Sequence, residues 1–327
     1  MHCPSILEFN KKEIEMLIDL SNKITINPSE DPNGFCKQAK ELSLFVPERI
    51  TKILYEFALH GCENGFLLIK TFPFNDKTLG NTPENNNCKI GEKTLLARIQ
   101  SLLINVMGEM IAYEAEGYGR LFQDVVPIKN MENVQTSVGS NTELEIHTEQ
   151  AFSKLRPDIL SLACLRGDET AYTYILPVKR ITDNLNNEEN KILYKPLWKT
   201  GVDLSFKLNG HDFIEGDVRG PLSILNGSCS DPFLVFDQDL MFGINDDSDK
   251  MIKKLVDIYY HQRIKHNLQP GEIIFVDNNR AVHGRSPFFP KYDGNDRFLI
   301  RCFATFYYEK SEYARHDNGR TIAAIYS

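Results

Sequence analysis

Apolar residues recur with a helical period in the first third of the chain and with a period near two in the rest. Asn10 and Glu13 form a capping-box pattern ahead of Ile14, Leu17 and Ile18, which predicts a helix beginning near residue 11. Pro47 suits a first helical residue. Ile50, Ile53, Leu54 and Phe57 then make one stripe, with Gly61 as the stop. Gly65 to Phe72 reads as a buried strand, and residues 73–92, rich in Asn, Pro, Gly and Asp, as a loop. Thr94 to about Glu116 carries the strongest helical stripe, with Leu95, Ile99, Leu102, Leu103, Val106, Met110 and Ile111 on one side. Core packing accounts for all of these stripes.

From about residue 120 the pattern favours strands, with candidates at 143–150, 158–166, 170–177, 233–236, 272–277 and 296–308. Strands that follow helices without βαβ alternation predict an α+β fold with an antiparallel sandwich or barrel. Two insertions interrupt them. Residues 178 to about 200 are polar and loop-like, which suits a lid or binding loop. Residues 246–266 read as a helix with Leu255, Ile258 and Tyr259 inward. His261 and His266 on it would stand about 140° apart, so they make no metal pair and read as surface residues.

The 327 residues carry a net charge of -8 and no basic stripe, which argues against a nucleic-acid partner. A small cationic substrate remains compatible. Seven scattered cysteines without a Cys-x-x-Cys pair form neither a disulfide framework nor a zinc ribbon. No apolar run is long enough for a membrane span, and the first residues lack a signal-peptide pattern. The expectation is a cytoplasmic protein with no membrane partner; a homo-oligomer stays open.

The alternation of Leu144 to Phe152 predicts a strand with Glu145, His147 and Glu149 on one face. A His and a carboxylate two residues apart can grip one divalent ion, and a second His would complete a 2-His-1-carboxylate triad with open positions. On its own, His-x-Glu is a weak signal and reads more readily as the polar side of a half-exposed strand. The second dense stretch, Gly271 to Pro287, holds a buried strand, a polar turn and then His283. Asp277 and Asn278 suit that turn, or support of the imidazoles, better than metal ligation. If 296–308 is a strand, Arg297 and Arg301 share a face, and inward guanidinium groups are costly unless each meets an anion. Two carboxylates, possibly from two different molecules, are the natural partners; solvent or the chain's own acids are the alternative.

His147-Thr148-Glu149, the run Asn278 to Arg285, Tyr292 to Arg297 and the tail Arg315 to Arg320 together resemble the clavaminate synthase-like iron(II)/2-oxoglutarate oxygenases. The likeness covers roughly residues 115–320 and is greatest to hydroxylases of free basic amino acids: arginine β-hydroxylases and bacterial L-lysine hydroxylases. It implies a double-stranded β-helix, or jelly-roll, core with outer helices in one oxygenase domain over 1–327. Within it, 1–118 would be a mainly helical N-terminal region and 119–327 the core, with a lid near 178–205 and a helical insertion at 246–266. It implies Fe(II) on His147, Glu149 and His283, with 2-oxoglutarate and O2 as co-substrates that end as succinate, CO2 and a hydroxylated carbon. Arg297 would bind the distal carboxylate of 2-oxoglutarate, with Thr173 a second candidate. Arg301 would hold the substrate α-carboxylate, and Glu149 and Gln123 its α-amine. Asp237 and Asp239, expected on one strand face, would meet a cationic side chain, with Asp231 a further candidate. Arg280 and Arg285 fit neither arginine role and read as structural.

The resulting expectation is hydroxylation of a free basic L-amino acid, L-lysine before L-arginine, at C4 before C3. A relative acting on another amino acid, or desaturating one, differs only in substrate. A non-catalytic metal- and ligand-binding jelly roll, a sensor or storage protein, is the reading from another class; the intact triad and both arginines weigh against it.

Overall fold

The computed structural model describes residues 3–70, 72–73, 79–203 and 217–326. Residue 71 of the expected strand, 74–78 of the expected loop and 204–205 of the expected lid lie outside them. The N-terminal part contains β1 (Ile6–Glu8), α1 (Lys11–Asn22), α2 (Pro32–Ser43), α3 (Glu48–His60), β2 (Phe66–Lys70), α4 (Leu95–Met107) and β3 (Glu109–Tyr113). Then follow β4 (Gln123–Val125), β5 (Leu144–His147), β6 (Ile159–Arg166), β7 (Tyr172–Pro177), α5 (Val178–Asp183), α6 (Asn187–Leu193) and β8 (Trp198–Gly201). After these come β9 (Val218–Leu222), β10 (Leu225–Ser228), β11 (Asp231–Leu234), β12 (Met241–Gly243), α7 (Asp246–Gln262) and β13 (Ile264–Asn267). The chain closes with β14 (Ile273–Asp277), β15 (Ala281–Arg285), β16 (Phe298–Thr305) and β17 (Thr321–Ile322).

Two sheets make the jelly roll. The larger runs β1-β2-β14-β6-β16-β3-β17, with β4 also on β16, and the smaller runs β13-β7-β15-β5. Strand alternation divides their side chains among three cores. In β16, Leu299 and Phe303 point between the sheets, where they meet Ile175 and Ala281 of the smaller sheet. Ile300, Cys302 and Ala304 point the other way, against α1–α4. On the far side of the smaller sheet, Tyr174, Leu176 and Val282 pack on α5–α7. Each fully buried Leu, Ile or Phe in these layers contributes about 1.5–3 kcal/mol of transfer free energy.

The capping box at Asn10 and Glu13 is present in α1, and Gly61 ends α3. The long helix expected to Glu116 stops at Met107 instead. Gly108 sits where an added Cβ would meet the Thr305 carbonyl oxygen at 2.4 Å, and the chain turns there into β3. Met110 and Ala112 face the helices while Ile111 and Tyr113 face between the sheets. A run buried on both faces has no polar side, so periodicity could not separate strand from helix there. The polar insertion is also more ordered than expected: α5, α6 and β8 occupy it, and Asn186 and Glu189 form a second capping box. Ile181 and Leu193 bury themselves on the outer face of the smaller sheet, so residues 178–201 flank the core. His266 leaves the helical insertion for β13, where Nε2 lies 2.8 Å from the Glu272 carboxylate. No described helix is long and apolar enough to cross a membrane.

Candidate active site

His147 ends β5 and His283 lies in the middle of β15, and the two are direct register partners. Val282 points to the outer helices, so His283 points between the sheets. The two imidazole centroids are 4.4 Å apart. Glu149 is not on the strand, as its alternation suggested. β5 ends at His147, and Gln150 takes a left-handed φ of 54° in the following turn. Asn278 shapes that turn: its side-chain oxygen accepts the Glu149 N–H at 2.8 Å, and its amide donates to the Glu149 and Pro157 carbonyls at 3.2 and 2.8 Å. Thr148 locks the same turn to the segment before Asp237, donating its N–H to the Phe236 carbonyl at 2.7 Å.

One donor atom from each of His147, Glu149 and His283 lies within 4.8 Å of the others. His147 Nδ1 is 2.8 Å from the Glu145 carbonyl, which makes Nδ1–H the donor and frees Nε2 for a metal. His283 Nε2 is 3.4 Å from Glu149 Oε2. Burial raises the Glu149 carboxyl, but Arg301 and the imidazoles outweigh it and hold it at about 2. Burial, with repulsion from His147, pushes His283 down to about 4, so its imidazole is neutral and ready to ligate. Two imidazole nitrogens and one carboxylate on one side of an open cavity fit a divalent iron-type centre. Asn278→Ala should weaken iron binding by about 10-fold, the lower end for loss of a group that orients a ligand, measured by metal titration of the folded variant.

Thr173, Arg297, Arg301, Asp237 and Asp239 line the same cavity as the triad. Arg297 is buried against the Phe288 ring, no carboxylate pairs with it among the described residues, and burial lowers it to about 10. The Thr173 hydroxyl is also buried without a hydrogen-bond partner among the described residues. A guanidinium and a hydroxyl left unsatisfied in one cavity make a seat for a carboxylate. Arg301 lies nearer the triad: Nη1 is 3.5 Å from Glu149, Nη2 bonds Glu116, and Nε donates to Gln123 at 2.9 Å.

Gln123 stands behind Arg301 and outside the cavity that holds the triad. Its side-chain oxygen braces the guanidinium, and with Glu116 and Arg301 it lines a neighbouring cavity. Asp231 pairs with Arg280 at 2.8 Å, away from the cavity, which corrects its expected place at the cationic side chain. Arg280 also reaches Asp277 at 3.1 Å and ties the β14–β15 turn, the structural part expected of it. Asp237 and Asp239 do not share a strand face: Asp237 makes one bridge to His147, and residues 238–240 turn. Asp237 caps that turn by accepting the Leu240 N–H at 2.8 Å. Burial raises it to about 7. Burial, then Asp203, raises Asp239 as well.

Glu116, Glu145 and Asp203 are cavity residues that the sequence reading missed. Glu116 was hidden by the helix expected to run through it. It bonds Arg301, accepts from Gln150 at 2.9 Å, and burial raises it to about 7 despite the guanidinium. Glu145 was visible on the His147 face, and only its cavity position gives it a possible use.

Residues 221–303 match the model of the taurine catabolism dioxygenase TauD, TfdA family. An L-lysine 3-hydroxylase of Catenulispora acidiphila is 43% identical over 323 residues, 99% of this chain and 90% of that protein. This chain belongs to the iron(II)/2-oxoglutarate oxygenases of the clavaminate synthase-like group. An L-lysine 4-hydroxylase of a Flavobacterium species is 27% identical and covers 91% of this chain and 82% of its own. The crystal structure of asparagine oxygenase with Fe(II), 2S,3S-3-hydroxyasparagine and succinate superposes with a TM-score of 0.90 at 28% identity, covering 98% of this chain and 99% of that one. The protein is therefore an amino acid hydroxylase that works with Fe(II), 2-oxoglutarate and O2.

Proposed function

We propose that this oxygenase hydroxylates free L-lysine. The observation that carries the reading is the charge layout of one cavity: Arg301 with Glu116 beside the triad, and Asp237 with Asp239 elsewhere on the wall. Only a zwitterion with a cationic side chain complements both ends. The likeness read from the sequence favoured C4. The relative of 43% identity is named for C3, and C3 is the carbon we propose.

His147, Glu149 and His283 hold the iron. Bound there, the metal supplies dioxygen-driven decarboxylation of 2-oxoglutarate and insertion of one oxygen atom into a C–H bond. Arg297 and Thr173 take the distal carboxylate of 2-oxoglutarate. Arg301 takes the α-carboxylate of lysine while Glu116 and Glu149, already at that guanidinium, face its α-amine. Asp237 and Asp239, with Asp203 near them, take the ε-ammonium. Apolar Leu160, Leu162 and Leu299 on the cavity wall exclude water from the aliphatic stretch.

Reconstitution with Fe(II) and 2-oxoglutarate without oxygen, then exposure to oxygen with each of the twenty amino acids, tests the reading. Mass spectrometry should find one added oxygen on lysine, and NMR should place it on C3. Succinate release with no amino acid of the panel would reject it. Asp237→Asn should raise KM for lysine about 30-fold, because a buried cation left unpaired costs about 2 kcal/mol or more. KM for 2-oxoglutarate should stay nearly constant; equal rises in both would remove Asp237 from the side-chain end.

A further inference from the structure

Residues 128–141 form a closed loop whose tip, Gln135 to Ser137, lines the cavity. Its ends are brought together by Ile128 N–H to the Val138 carbonyl at 3.1 Å and by Ser140 and Asn141 N–H to the Glu132 carbonyl at 3.0 and 2.8 Å. The returning arm is held by Arg285, whose Nη2 donates to the Gly139 carbonyl at 3.0 Å and Nη1 to the Ser140 carbonyl at 3.4 Å. Nη1 also donates to the Ser286 carbonyl at 2.6 Å, and Nε has no hydrogen-bond partner among the described residues. Phe288 adds its N–H to the Ser140 carbonyl at 2.9 Å.

Arg285 is an unusual latch. It is buried, it borders the cavity, and it bonds only carbonyls, with no carboxylate pairing among the described residues. The Arg297 guanidinium shares the Phe288 ring with it, at 5.6 Å from the ring centre against 4.9 Å for Arg285. Two buried positive charges on one ring repel each other and draw any anion that enters beside them.

We infer that Arg285 is a positioning residue that couples the carboxylate seat at Arg297 to the 128–141 loop. A dicarboxylate in that seat offsets the charge the two arginines share. Arg285 then grips the Gly139 and Ser140 carbonyls more firmly, and the loop tip is fixed over the pocket. The inference rests on Arg297 being the 2-oxoglutarate seat. The loop carries its own reporter, because Lys129 is exposed and is followed by Asn130, a bond that trypsin cuts.

The test uses the full chain loaded with Mn(II), which supports no turnover, and follows cleavage after Lys129 by mass spectrometry. Saturating 2-oxoglutarate should slow that cut about 10-fold in the unsubstituted protein, since cleavage tracks local opening. Arg285→Lys keeps the charge but cannot span two carbonyls as a planar fork does. It should hold 2-oxoglutarate within about 3-fold by calorimetry yet show less than about 2-fold protection. If Arg285→Lys does not fold, Arg285→Gln takes its place and only the protection is read, because removing the charge by itself lowers the affinity for an anion. Full protection in the variant overturns the coupling. A loss of affinity as large as that of Arg297→Gln overturns it too, because Arg285 would then be a ligand of the anion. Binding without protection in the unsubstituted protein rejects the inference and leaves the Arg297 seat standing. Unchanged binding in Arg297→Gln rejects the seat itself.

Discussion

His147→Ala loses iron and hydroxylation together. The substitution leaves one imidazole and one carboxylate, and no other His, Cys, Asp or Glu completes a three-donor cluster among the described residues. Loss of an orienting partner alone costs about 10- to 100-fold in metal affinity, so loss of a ligand should exceed about 100-fold. Iron content after dialysis and oxygen consumption with 2-oxoglutarate and lysine are the two readouts, and both should fall to background. The fold should survive, since the His147 ring makes one polar contact, to the Glu145 carbonyl. Added imidazole can fill the vacated space and restore part of the activity. Retained iron, or turnover without imidazole, would overturn the ligand assignment.

How much of this was legible beforehand depends on how local each signal is. The His147 and Glu149 pair is visible because both sit within three residues, and His283 because a buried strand announces it. The strand argument for Glu149 was right about the outcome and wrong about the backbone. The carboxylate reaches the imidazoles from a turn held by Asn278, a residue from more than a hundred positions away. Asp231 failed for the opposite reason. It is a polar residue near the right segment, but its actual partner, Arg280, comes from the distant β14–β15 turn and competes for it. Glu116 was lost with the helix boundary: a stretch buried on both faces shows no period to say where helix becomes strand. The acidic character of the cavity, shared among Glu116, Glu145, Asp203, Asp237 and Asp239, is a property of assembly, since these residues meet only when the two sheets close.

Arg297→Gln should raise KM for 2-oxoglutarate by about 100-fold or more, with KM for lysine moving less than about 3-fold. A fully desolvated charged pair is worth about 2–5 kcal/mol when one partner is removed, and each 1.4 kcal/mol is about tenfold. The unliganded protein already bears the cost of burying this guanidinium, which is why its pKa is drawn down to about 10. That cost is recovered only when a carboxylate arrives. The same substitution should therefore leave the melting temperature of the metal-free protein unchanged or raise it, because a buried unpaired charge is removed. Arg280, paired with two aspartates, gives the contrast: its loss should lower the melting temperature by stranding Asp277, which burial already raises to about 6. A lower melting temperature with an unchanged KM for 2-oxoglutarate in Arg297→Gln would make that arginine structural. Co-substrate binding in this cavity would then have to be carried by Thr173, Arg285 or Arg301.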